Sequence, residues 1–186
     1  MSRYDVNFRL KDRVQLKVAV VYLKTWYKPD GSEFLNFAND KLWDHNIGMD
    51  IFPDGGKKLP TNTIDYGGKV IPDTTAEYKK LYAVAKAKIK TAGCHYVNPL
   101  IVAFCQFQNA AYGVAPNLES DTNRLCLIAP HATNPGDLLH EIGHASGLHH
   151  DFTTKSPRNF MDTYGDRETV YRYQVESIGR AVFAVG

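Results

Sequence analysis

The order of hydrophobic patterns along the chain predicts an α+β fold of α/β-like character. Three observations carry this. Strand-length runs alternate with amphipathic helical stretches. Residues 100–107, apolar but for Gln106, and 125–129 read as strands covered on both faces. No repeat, low-complexity segment or linker interrupts the 186 residues, so one domain spanning 1–186 is expected.

The first strand is expected at Val14–Leu23, where alternation passes into a β-branched run. Ser32 then opens a helix whose stripe is Phe34, Leu35, Phe37, Ala38, Leu42 and Trp43, with Glu33 in its first turn. Residues 45–52 read as a short second strand closed by Pro53, Asp54, Gly55 and Gly56, and residues 57–73 as a surface connection. Thr74 or Thr75 caps a helix that runs to about Ala92 and stops at Gly93. Residues 110–116 hold Gly113 and Pro116, which suits an edge strand. Asn134, Pro135 and Asp137 have the cap, first-position and first-turn chemistry of a helix start. A final amphipathic helix is expected from Tyr171, Val175, Ile178 and Val182, with Asp166 as its cap.

Composition excludes several functions. A net charge of +2 provides no footprint for nucleic acid, and the lysine run 79–90 carries apolar residues at helical spacing, as a solvated helix face does. An apolar stretch such as 18–23, unsurpassed in length along the chain, is far too short to span a bilayer. Residues 1–13 lack the pattern of a secretory signal, so any export signal is expected to be missing or to lie outside this chain. Cys94, Cys105 and Cys126 form no CxxC pair. Cys105 and Cys126 sit in apolar runs, where a buried free thiol is the simplest reading and a bridge between the two the alternative.

Four of the seven histidines fall between positions 140 and 150, in HEIGHASGLHH. His140 and His144 are four apart, so on a helix both rings project from one face and can reach one tetrahedral ion. A helix continued to position 150 would put that residue about 15 Å along the axis from His140. Gly147 is placed to end the helix and turn the chain back, since glycine enters left-handed backbone at little cost. The third ligand is then His150, with the adjacent His149 as the alternative. Three neutral imidazoles leave a fourth zinc position to water, and Glu141, on the same face, can take that water's proton as it attacks a carbonyl.

HEIGHASGLHH resembles the long zinc signature of the metzincins, HExxHxxGxxH, at every fixed position, and this spacing favours His150 over His149. Chance would produce those five positions in such a chain on the order of once in 10^5. The resemblance implies one catalytic zinc ion held by His140, His144 and His150, with Glu141 as the catalytic residue and Gly147 supporting the site. It implies a Met-turn, for which Met161 in NFMDTYG is the candidate. It also implies a mixed, mostly parallel twisted sheet with an antiparallel edge strand, an active-site helix and a C-terminal helix. Ala111, Tyr112, Gly113 and Val114 would be the edge strand that pairs with extended substrate. Tyr164 stands three residues after Met161, where some metzincins place a zinc-approaching tyrosine two after. It is a candidate oxyanion helper, and packing beneath the site is its alternative role. Asp151, directly after the third histidine, resembles the adamalysin-like branch.

The expected function is therefore a zinc metalloendopeptidase acting on extended peptides or proteins as a monomer. A protein inhibitor is a further expected partner, and secretion or delivery from the producing cell is implied by the family. The alternatives are a zinc hydrolase of other amide bonds, such as peptidoglycan peptides, and a non-catalytic zinc-dependent homologue that binds peptides.

Overall fold

The computed structural model describes residues 14–117, 124–150, 159–162, 167, 169–181 and 183–185. In chain order the elements are β1 (Val14–Leu23), α1 (Ser32–Trp43), β2 (Ile47–Phe52), β3 (Thr63–Ile64), α2 (Thr75–Thr91), β4 (Leu100–Phe104), β5 (Gly113–Val114), β6 (Leu125–Ile128), α3 (Gly136–Ala145), α4 (Arg172–Gly179) and β7 (Ala184–Val185). They make an α+β fold around one mixed, mostly parallel sheet of order β2-β1-β4-β6-β5. β2, β1, β4 and β6 run parallel to one another, and β5 closes the edge antiparallel to β6.

β1 is central because both of its faces are apolar. Leu16, Val18, Val20 and Tyr22 join the core shared with α1, α3 and α4, while Ala19, Val21 and Leu23 join the core shared with α2. Parallel strands need crossovers that lie on the sheet faces, and these helices cover both. Register is pinned at one end by Lys17, directly opposite Asp50 on β2 and 2.7 Å from its carboxylate. At the other end the Tyr22 hydroxyl accepts from the Gly31 amide (2.9 Å) and donates to the Gly56 carbonyl (2.6 Å), with its ring stacked on Phe104. Removing that hydroxyl leaves a buried donor and a buried acceptor unpaired. Tyr22→Phe is thus expected to lower stability by about 1–3 kcal/mol in a urea titration, with little change in the denaturant slope.

Several elements differ from their sequence expectation. The connection 57–73 contains β3, which extends the sheet beside Tyr22 and Leu23, and Ile71, which bridges Phe107. That bridge is also why the strand expected over 100–107 ends at Phe104: Gln106 accepts from the Ile71 amide, and Gln108 donates to the Ile71 carbonyl. The edge strand expected over 110–116 is reduced to β5. Ala111 and Tyr112 precede it, although the Tyr112 carbonyl still accepts from Ala129. The last helix stops at Gly179, because the chain then turns to lay β7 antiparallel on Gln15 and Leu16 of β1. Tyr171 occupies the helix-start position expected for Asp166; Asp166 and Val182 lie outside the described residues. All three cysteines are free thiols, with Cys105 and Cys126 buried. Among the described residues no helix is long and apolar enough to cross a membrane.

Candidate metal centre

α3 starts where its residue types ask it to. Asn134 Oδ1 accepts from the Gly136 amide (2.9 Å) and the Asn134 carbonyl from Asp137 (3.0 Å), which satisfies donors that the first turn leaves open. The helix ends in a Schellman turn at Gly147, whose φ is +85°. There the Leu148 amide reaches back to the Gly143 carbonyl (3.0 Å) and the Gly147 amide to His144 (2.9 Å).

This turn closes the site. The Nε2 atoms of His140, His144 and His150 form a triangle with sides of 3.0, 3.1 and 3.1 Å. His144 Nδ1 donates to the Leu148 carbonyl (2.8 Å), and His140 Nδ1 donates to the Phe160 carbonyl (2.7 Å). A carbonyl only accepts, so both protons sit on Nδ1 and both Nε2 atoms present bare lone pairs to each other. Two acceptors at 3.0 Å with no proton between them repel, and a shared cation relieves that. A tetrahedron of nitrogens about 2.0–2.1 Å from one ion has edges of about 3.3 Å, close to this triangle. These three residues could hold a metal ion. It is His150, and not its neighbour His149, that completes the group.

Burial keeps the rings in ligand form. It lowers His140 to about 3, helped by the positive charge of Arg167 and opposed by the Phe160 carbonyl, and it lowers His144 and His150 in the same direction. The opposite holds for Glu141, whose carboxyl burial pushes up to about 8 against the pull of Arg167 and a hydrogen bond from the Ala115 amide. Glu141 and the three histidines line one cavity of about 770 Å³, whose opposite wall runs through Ala111, Tyr112, Gly113 and Val114. The edge strand touches Glu141 closely: a Cβ at Gly113 would stand 2.7 Å from Glu141 Cγ.

Met161 is fully buried on a turn in which the Asp162 amide donates to the Asn159 carbonyl and Met161 itself donates to Asn159 Oδ1. Its sulfur lies where a side chain at Gly143 would be, 2.3 Å from an ideal Cβ there. Gly143→Ala is therefore expected to cost about 1–3 kcal/mol by overpacking, and to weaken metal retention because the same turn carries the Phe160 carbonyl. A thermal melt and a chelator competition check the two effects separately. Tyr164 and Asp151 lie outside the described residues.

Two features of the site have no sequence signature. Asn159 and Gln174, both buried, exchange side-chain amide hydrogen bonds (3.0 and 3.2 Å) and so tie the Met161 turn to α4. Arg167 pairs with the buried Asp137 and lines the cavity. Neither rests on a spacing rule; the partners are 15 and 30 residues apart.

Neither the family models nor the curated proteins compared with this sequence match it. Among solved structures, a chain from "Structure of a chaperone-substrate complex" is similar over 90% of this chain, with a TM-score of 0.57 and 14% identity. At that identity the likeness is one of fold. This chain spans 33% of that chain's length.

Proposed function

We propose that the protein is a zinc-dependent endopeptidase of the metzincin type. The observation that carries the reading is the triangle of three converging imidazole nitrogens set beside a buried carboxyl in a cavity walled by a sheet edge. Imidazole ligands suit zinc, two of these have their second nitrogen held by a backbone carbonyl, and three together leave an open coordination position. Zinc, when bound, supplies a Lewis acid for a substrate carbonyl and brings a water's pKa toward neutrality.

The chain's own residues provide the rest. His140, His144 and His150 would hold the ion without adding negative charge, so that its Lewis acidity would be preserved. Glu141 accepts a proton from the attacking water and returns it to the leaving amine. Its burial favours the protonated form, so the carboxylate is a stronger base than one in water and is matched to work near neutral pH. The Ala115 amide holds that carboxyl in place from beyond β5. β5 sits at the end of the strand order, and such an edge can hydrogen-bond an extended peptide as an added strand. The Met161 turn fixes the ring of His140 through the Phe160 carbonyl.

Metal analysis of the purified protein together with turnover of a broad peptide library tests the reading. One zinc per chain, with cleavage abolished by a chelator and restored by zinc, is the expected result. A protein that binds zinc at one per chain and cleaves no member of the library would contradict it.

A further inference from the structure

We infer that Arg167 is a specificity-determining residue that selects substrates carrying a carboxylate next to the scissile bond. This rests on the peptidase reading above and adds the substrate class.

Arg167 follows Met161 by six positions and lines the same cavity as Glu141 and the three histidines. With the imidazoles neutral, it is the one permanently charged cation among the described residues that line this cavity. Its positive charge acts to lower the pKa of His140, Glu141, His144 and His150.

Its placement is built, not incidental. The backbone at Arg167 has φ +52°, left-handed and unusual for an arginine, and held strain of this kind concentrates at functional sites. The opposing residue is Gly136, where a Cβ would stand 2.7 Å from Arg167 Cβ, so only a bare backbone lets Arg167 come this close. The side chain is 11% exposed and is gripped by Asp137, itself buried in the first turn of α3.

A simple counterion role for Asp137 does not account for the geometry. Arg167 and a carboxylate satisfy each other best fork to fork, through two parallel hydrogen bonds. Here one amino group contacts Asp137 Oδ1, while Oδ2 has no partner. The guanidinium is thus anchored at one corner, with Nε and its second amino group unpartnered among the described residues. A carboxylate entering the cavity fits those remaining donors. It has two sources in a peptide, an aspartate or glutamate side chain or a free C-terminus.

The test uses the zinc-loaded protein and fluorogenic peptides that differ only in Glu or Gln beside the cleaved bond, each with a free or an amidated C-terminus. Wild type is expected to favour one carboxylate source by at least about tenfold in kcat/KM, since a site built to bind a polar group rejects analogues that lack it. In Arg167→Gln that ratio falls to within about threefold of one, and Arg167→Lys restores part of it. Because Arg167→Gln strands the Asp137 carboxyl, the double variant Asp137→Asn/Arg167→Gln is measured alongside and should lose the preference equally. Binding of the same peptides to Glu141→Gln protein, followed by fluorescence anisotropy, reads selectivity without turnover. There, tighter and salt-sensitive binding of the carboxylate peptide that disappears with Arg167 supports the inference. Equal binding of both peptides, or a preference that survives in Arg167→Gln and in the double variant, overturns it. A wild type that selects carboxylates in binding but cleaves nothing would sink the peptidase reading and leave this one standing.

Discussion

Replacing Glu141 with glutamine is expected to lower kcat/KM for peptide hydrolysis by about 10^2- to 10^4-fold, the range over which a positioned proton acceptor contributes, while zinc stays at one per chain. The side chain is almost isosteric, so Gly113 and the Ala115 amide keep their contacts. What is lost is the capacity to hold a proton. The loss should fall mainly on kcat, because Glu141 is not among the ion's ligands and the edge strand that would hold the peptide is untouched. Single-turnover kinetics beside metal analysis separates this from a folding defect. Comparable turnover by both proteins would remove Glu141 from its role.

Stripping the ion is expected to have the second largest effect. A ligand that binds only the folded state at about a thousand times its Kd adds about 4 kcal/mol. For a chain of this length each kcal/mol is worth about 2–4 °C, so chelation should lower Tm by on the order of 10 °C. The metal-free protein should also acquire a distinctive pH dependence. His140 is lowered from 6.5 to about 3 on folding, so its share of stability is intact above 6.5 and drains away as pH falls toward 3. His144 and His150 are shifted the same way and steepen that acid limb. Glu141 is raised from 4.5 to about 8, so its share is intact below 4.5 and drains away as pH rises through 8. Below 6.5 the histidines together outweigh the single opposing trend of Glu141, and above 6.5 only Glu141 acts, which predicts a maximum near pH 6.5 with declining stability on either side. Urea titrations of chelated protein across pH 3.5–8.5 would reveal it. A stability that keeps rising from pH 6.5 to 8.5 would contradict the burial of Glu141.

Much of the fold was legible because its signals are periodic. The ten residues of β1, the stripe of α1, the cap and stop of α2 and the apolar run of β6 each repeat a pattern long enough to stand above noise. β3 and β7 are two residues each and carry no pattern; only the unsatisfied flanks of β1 call for them. Likewise Ile71 is one apolar residue in a polar stretch, and its pairing with Phe107 is decided by tertiary contacts.

The metal site divides along the same line. His140 and His144 follow from helical spacing, and Gly147 from the need for a left-handed turn between them and the third ligand. Choosing between His149 and His150 on residues alone was not possible, since either can follow a turn whose exit angle is unknown. The second set of interactions is invisible in the string, because a carbonyl has no residue type: Leu148 and Phe160 orient two rings through backbone oxygens that any residue would carry. Arg167 and the Asn159–Gln174 pair are single polar residues whose meaning depends on what lies opposite.

The exchange of amides between Asn159 and Gln174 has a mechanical consequence. It couples α4, which lies next to a strand in the middle of the sheet, to the oxygen that aims the first imidazole. An ion seated among the rings would therefore act as a rivet whose hold extends through the Met161 turn to α4. Slackening at either end of that linkage is felt at the other.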